Sequence, residues 1–374
     1  MLTRTLQKEI EGRIRVGKVM ILYGPRRVGK TVLMKQIINN YPGKTRLLNG
    51  EDYDVQALLA EKGAANYHRL FDDIDLLAID EAQNIPDIGG KLKLLVDELP
   101  QLAVFVTGSS SFELQNQTGE PLVGRASRFT LLPFSFHEIT QIENPIEIHQ
   151  NLENRLIFGS YPEIVLQSDN KRNTEYLRDL VESYLLKDIL TIDGIKNASK
   201  MRDLLQLIAF QTGSEVSYDE LANTLSLSKN TVQKYLDLLS KVFIIYRLGG
   251  YARNLRKEVS KAGKWYFYDN GIRNALIGRF NPLALRDDVG LLWENFFISE
   301  RIKRNFFLKQ DCAYFFWKTY DRQEIDLIEE NLPEIHAFEL KWGDKMPKTP
   351  AAFAKAYPSA QFNVINRNNY YDFL

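Results

Sequence analysis

KVMILYGPRRVGKTVLMKQIINNY, residues 18–41, opens on an apolar run, breaks at Gly24 and resumes with apolar residues at helical spacing, Val32, Leu33, Ile37 and Ile38. This spacing predicts a strand, a tight loop and a helix in that order. Within it, Gly24, Pro25, Arg26, Arg27, Val28, Gly29, Lys30 and Thr31 fit the phosphate-loop pattern G-x4-G-K-[ST]. The glycines permit the turn, and backbone N–H groups at the helix N-terminus receive phosphate. Lys30 reaches the β- and γ-phosphates, and Thr31 ligates Mg²⁺. ATP and Mg²⁺ are the expected ligands.

Further along, DLLAIDEAQ, residues 75–83, carries the buried-strand pattern Leu76 to Ile79 and delivers Asp80 and Glu81 to the strand's carboxyl end, where open α/β sheets bind ligands. Asp80 is the expected Mg²⁺ partner. Glu81 is the expected catalytic residue, polarising the attacking water, which favours hydrolysis over transfer to a small metabolite. TRLLNGED (45–52) reads as one more strand, and LAVFVTGSSS (102–111) as another, ending in Thr107, Ser109 and Ser110 where a γ-phosphate sensor would sit. An extra strand between the two motif strands is the layout of AAA-like ATPases rather than of nucleotide kinases. PLVGRASRFTLLPFSFHEI (121–139) then supplies Arg125 and Arg128, one of them an arginine-finger candidate for its own site or a neighbouring subunit's, with a solvated or phosphate-positioning arginine as the alternative. A finger serving a neighbouring subunit would make the chain a homo-oligomer.

Seven stretches in order, GPRRVGKT, LLAIDEAQ, TGSSS, GRASRFTLLPFSFHE, GSYPEIV, KWYFYDNGIRN and GLLWENFFISE, resemble the prokaryotic AAA-domain ATPases whose C-terminal half is the domain of unknown function 4143. The resemblance runs over nearly the whole chain. It implies an ATP-binding module, a helical and winged-helix middle, and a restriction-endonuclease-like end.

The residues of the middle agree with that outline. Helical spacing in LENRLIF (152–158) and TEYLRDLVESYLLKDIL (174–190) predicts a helical lid beside the nucleotide. Three further helices follow, the second capped by Ser217 and the third by Ser228. In the third, Val232, Leu236, Leu239 and Val242 face the core, leaving Lys229, Asn230, Gln233, Lys234 and Asp237 outward. Two strand-like runs about a basic loop complete the order of a winged helix-turn-helix. Lys229, Asn230, Gln233 and Lys234 are then candidate major-groove contacts, and Arg253, Arg256 and Lys257 candidate phosphate contacts in the wing. A packing or dimerisation module is the alternative for this segment.

At the C-terminal end, QEIDLIEE (323–330) and IHAFELKWG (335–343) alternate as strands, so Glu324 and Asp326 share one face and Ala337, Glu339 and Lys341 another. With Glu294 on a preceding helix, they form the constellation of the PD-(D/E)xK nucleases. There Glu294, Asp326 and Glu339 would hold a divalent cation, with Asp326, Glu339 and Lys341 catalytic in phosphodiester cleavage. A solvated salt-bridge pair is the plain alternative for Glu339 and Lys341. Glu300 is a weaker rival to Glu294.

Composition sets the frame. The chain has 374 residues, 44% hydrophobic and 26% charged, with one cysteine, Cys312, so an internal disulfide is excluded. Lys and Arg balance Asp and Glu at 48 each, but unevenly: 22 against 27 in residues 1–195, 12 against 6 in 196–264, and 14 against 15 in 265–374. A polyanion should meet the basic middle first. The N-terminus has no signal-peptide pattern and no run of about 18 apolar residues occurs, which points to a cytoplasmic protein with no membrane partner. The expectation is an α/β multidomain chain: an AAA-like ATPase domain (1–140), a helical lid (141–200), a winged helix-turn-helix (201–268) and a PD-(D/E)xK-like domain (269–374). Functionally, this is an ATP-hydrolysing protein coupling nucleotide state to DNA binding and metal-dependent DNA cleavage. The alternative is an ATP-gated protein-interaction switch with an inactive nuclease-like domain.

Overall fold

The structure, a computed structural model, describes residues 3–61, 63–108, 122–185, 197–252, 263–319, 321 and 323–374. Ser109, Ser110, Arg253, Arg256 and Lys257 lie outside the described residues. The chain divides into two compact units, one of residues 1–132 with 187–195 and 241–243, the other of 133–186, 196–240 and 244–374.

In the first unit, strands β1 (Val19–Tyr23), β2 (Thr45–Asn49), β3 (Leu76–Asp80), β4 (Ala103–Thr107) and β5 (Ala126–Thr130) form a parallel sheet in the order β2-β3-β4-β1-β5. Its central strands β1 and β4 are buried at every position, as expected where helices cover both faces. The strand between the two motif strands is β4; the TRLLN segment is β2, at the sheet edge. Alternate residues Val19, Ile21, Leu77, Ile79, Val104 and Val106 pack in one core with Ile88, Leu92 and Leu95 of the helix Ile88–Glu98.

Helix α1 (Leu6–Arg13) precedes this sheet, and α2 (Lys30–Asn40) follows β1. The buried stripe of α2 is Leu33, Met34 and Ile37, with Val32 exposed. The helical spacing read from the sequence included Val32. Residues 33, 34 and 37 fit one face of a 3.6-residue period, and Val32 falls outside that arc.

The second unit holds helices α3 (Ala198–Phe210), α4 (Tyr218–Leu225), α5 (Lys229–Lys241), α6 (Asn270–Ile277) and α7 (Val289–Phe307). Ser217 and Ser228 cap α4 and α5 as expected, accepting from Glu220 N (3.3 Å) and Thr231 N (3.1 Å). The 152–158 helix, expected in a lid, packs within this unit on α6, where Asn274 Nδ2 donates to Ile157 O at 2.7 Å. One mixed sheet runs β11-β10-β9-β8-β6-β7, from β6 (Ile245–Gly250) and β7 (Lys264–Phe267) through β8 (Ala313–Lys318), β9 (Glu324–Asn331) and β10 (Glu334–Leu340) to β11 (Gln361–Ile365). Antiparallel β6 and β7 join the later strands through a parallel β6–β8 pairing, Gly249↔Phe315 and Gly250↔Phe316. The strands expected in separate winged-helix and endonuclease-like domains therefore share a sheet.

Candidate functional site

At the carboxyl ends of β1, β3 and β4, the first unit builds its loop on two conformational needs. Gly24 has φ 151°, and a Cβ there would lie 2.1 Å from Leu131 O; Gly29 has φ 94° at the N-cap of α2. Lys30 is buried, its Nζ donating to Gly24 O (2.9 Å) and Pro25 O (3.0 Å), so the ammonium is fixed over the loop. Thr31 Oγ1 donates to Asp80 Oδ2 at 2.7 Å, which brings together the hydroxyl and carboxylate expected to hold Mg²⁺. This donor pair fits a hard cation that prefers oxygen.

Thr107 is fully buried and joins the two halves of the β3 motif. Its hydroxyl donates to the free oxygen of Asp80, Oδ1, and accepts from Glu81 N at 3.0 Å. Glu81 itself adopts φ 49°, ψ 46°, and its Oε2 accepts from Gln83 Nε2 at 2.6 Å. Gly50 lets this turn approach, since a Cβ on it would meet Glu81 O at 2.4 Å. Two contributors were missed in the sequence reading. Gln83 positions the Glu81 carboxylate, and buried Arg4 donates to Val28 O (2.8 Å) and Leu132 O (2.7 Å), anchoring the loop from before α1. The signal for Gln83 was present in DEAQ; Arg4 carried none, because its partners are distant in sequence.

The arginine candidates part ways. Val19 N donates to Arg125 O at 2.9 Å, which places Arg125 at the amino end of β1, the opposite edge of the sheet from the loop. The five residues of β1 separate them by about 16 Å at ~3.3 Å per residue, and Arg125 Nε is held 2.7 Å from Asp97 Oδ1. Arg125 is therefore not a finger for its own loop, a correction that follows from its preceding a parallel strand. Arg128 lies exposed on edge strand β5 opposite Ile21.

In the second unit, Lys229, Asn230, Gln233 and Lys234 are exposed along α5, and Val232, Leu236 and Leu239 are buried. Asp237 is exposed as well, and Lys229 Nζ lies 2.8 Å from Asp219 Oδ2.

The C-terminal candidates converge. Antiparallel β9 and β10 pair Leu327 with Phe338, and the next step of that register sets Asp326 against Glu339. Asp326 Oδ2 accepts from Leu340 N at 2.7 Å, and Lys341 Nζ sits 2.6 Å from Glu339 Oε1. Glu294 Oε1 accepts from Tyr266 Oη at 2.6 Å and lies 3.6 Å from Lys264 Nζ, which is 2.5 Å from Glu324 Oε1. Burial, then the charge of Asp326, raises the carboxyls of Glu294 and Glu339 above the usual range; burial raises Asp326 against the pull of Lys264. Glu300 is engaged elsewhere, accepting from Phe136 N (2.6 Å) and Lys303 Nζ (2.8 Å). Lys264 and Tyr266, both from β7, were not anticipated.

Whether this cluster suits a divalent cation turns on two observations. Glu339 Oε2 is buried without a hydrogen-bond partner among the described residues, as a ligand oxygen would be. Against it, no group of three or more His, Cys, Asp or Glu among the described residues is placed to hold a metal ion. Two ammoniums, Lys264 and Lys341, already stand against these four carboxylates in the place a cation would take, so the cluster as built does not fit a divalent cation.

Comparison with known proteins supports the two ends of the chain separately. Residues 16–140 match the AAA domain family, 149–283 a domain of unknown function (DUF8612) and 289–373 a domain of unknown function (DUF4143). An uncharacterised protein of Mycobacterium tuberculosis is 27% identical over 327 residues, covering 86% of this chain and 70% of that protein. Another, from Methanocaldococcus jannaschii, is 24% identical over 393 residues, covering 97% and 84%. Among solved structures, a Walker-type ATPase of Pyrococcus abyssi is 16% identical, with 73% and 94% of the chains covered and a TM-score of 0.49. The RuvB Holliday junction branch migration motor of Thermotoga maritima is 16% identical, with 66% and 90% covered and a TM-score of 0.32. Among the described residues no helix is long and apolar enough to cross a membrane. Residues 16–140 thus resemble an AAA domain, and residues 289–373 a DUF4143 domain.

Proposed function

We propose that this protein binds and hydrolyses ATP in its first unit and couples nucleotide state to DNA binding by its second. The observation that carries the first half is the continuous chain Thr31–Asp80–Thr107–Glu81 beside Lys30. Lys30 and the N–H groups of Gly29 and α2 grip the phosphates. Thr31 and Asp80 would hold Mg²⁺, which neutralises charge on the phosphate oxygens when bound. Glu81, positioned by Thr107 and Gln83, orients and polarises the attacking water. Calorimetric titration with ATP tests the grip: the parent should bind and Lys30→Ala should not, and equal binding by both would refute the assignment.

DNA binding draws support from the exposed row Lys229, Asn230, Gln233 and Lys234 on α5, together with 12 basic against 6 acidic residues in 196–264. Within this reading, α5 lies along a groove. Charge reversal at Lys229 and Lys234 should reduce duplex affinity and flatten its salt dependence by a slope of about 2. Unchanged binding across salt would make this segment a packing module.

For the C-terminal domain the geometry favours the part of the alternative in which it does not cut. The observation behind it is Lys264, whose ammonium takes part of the charge-compensating place that cleavage would give to a metal. Incubation of parent and Asp326→Ala proteins with plasmid, duplex and single-stranded DNA, with Mg²⁺ or Mn²⁺ and ATP, tests it. Nicking by the parent alone would restore the nuclease reading.

A further inference from the structure

Lys264 is a cation delivered into the carboxylate cluster from outside the strands that carry the carboxylates. It stands on β7, opposite Leu248 of β6, and its backbone also bridges to Glu215. Neighbouring hydrogen bonds from Val216 N to Gly263 O (3.2 Å) and from Gly213 N to Trp265 O (3.1 Å) fix this end of the strand. The side chain passes over the Phe316 ring, with Nζ 5.3 Å from its centroid, and is 3% exposed, so it cannot swing into solvent without opening the packing. Its ammonium meets Glu324 and Glu294 directly and acts through space on Asp326. Lys341 neutralises Glu339 from the other side. Four carboxylates thus share two buried or half-buried ammoniums.

We propose that Lys264 is the residue that closes this cluster to divalent cations, a fixed monovalent charge occupying the role a metal would otherwise fill. A divalent ion entering among Glu294, Asp326 and Glu339 would stand beside an ammonium that has no exit, and like charges at ~4 Å in a buried setting repel strongly. Removing that one charge leaves three carboxylates with the oxygen chemistry of a Mg²⁺ or Mn²⁺ site, including the unpartnered Glu339 Oε2. The inference rests on the non-cutting reading above, and it also explains which residue enforces that reading.

Mn²⁺ alone, without nucleotide, is the probe, followed by electron paramagnetic resonance on the full chain. The parent and Lys264→Arg should show no tight site. Lys264→Met should bind one Mn²⁺ at least about 30-fold more tightly than the parent, an effect that further substitution of Asp326→Ala abolishes. Because Lys264→Met leaves Glu324 uncompensated, Lys264→Met with Glu324→Gln keeps the charge balance and should also bind one Mn²⁺. If Lys264→Met is unfolded without metal, millimolar Mn²⁺ should restore its folded circular dichroism. One Mn²⁺ bound by the parent and lost in Asp326→Ala would overturn the inference, as would failure of Mn²⁺ to bind or refold either Lys264 variant. In that second case the non-cutting reading stands or falls separately, on the nicking assay.

Discussion

Replacing Thr107 with valine removes one hydroxyl from a fully buried strand position and keeps the branched shape, so packing on β4 is preserved. The loss has two parts. Asp80 Oδ1 loses a donor to a carboxylate, typically worth about 1.5–3 kcal/mol, and Glu81 N loses its acceptor, at about 1–3 kcal/mol for an orphaned buried donor. The two share one oxygen and are not additive, so about 2–4 kcal/mol is expected locally. At 1.36 kcal/mol per tenfold, 2 kcal/mol lowers the exchange protection of the Glu81 amide by about 30-fold. Hydrogen exchange read on the peptide spanning 76–84 measures this directly. ATP hydrolysis should fall by about 10-fold or more while ATP affinity changes little, since Lys30 and the loop are untouched. A Thr107→Val protein with parental protection at Glu81 and parental turnover would refute the claim that Thr107 joins Asp80 to the Glu81 turn.

Arg4→Ala strips two backbone carbonyls of their donor and should weaken ATP binding by about 10-fold, with Arg4→Lys recovering part of it in the same titration. Arg125→Ala, at the far edge of the sheet, should leave turnover at dilute protein within about twofold of the parent, because its exposed pair with Asp97 is weak; a large loss would place it in another subunit's site. Asp288 is buried, which pushes its carboxyl up, yet Arg286 and Arg273 outweigh that and hold it at about 2 against the usual 3.8. Its folded value is the lower one, so its stabilising contribution is present above about pH 4 and lost as pH falls toward 2. Asp288→Asn should flatten that limb in an acid unfolding series.

The phosphate loop and the Asp80–Glu81 motif were legible because each is written within a dozen consecutive residues whose backbone shape and chemistry coincide. That Asp326, Glu339 and Lys341 meet on adjacent strands was legible for a related reason, the two-residue period of strands, but not what they do there. What escaped depends on contacts across long sequence separations. Arg4 reaches Leu132, and Lys264 crosses from β7 to Glu294 and Glu324; no local pattern marks either. Whether Arg125 serves its own loop was left open because a basic residue near a motif does not show which end of the sheet it occupies, though its place just before a parallel strand holds that information. The position of β4 between the motif strands also lay beyond the sequence, since sequential order does not fix sheet order.

Steady-state ATP hydrolysis by the parent and by Glu81→Gln, each with Mg²⁺ and with or without duplex DNA, tests the central claim most directly. Glu81→Gln should bind ATP as the parent does and turn it over about 100-fold more slowly, and duplex DNA should change the parental rate. Parental turnover no faster than that of Glu81→Gln, at matched ATP binding, would contradict the account.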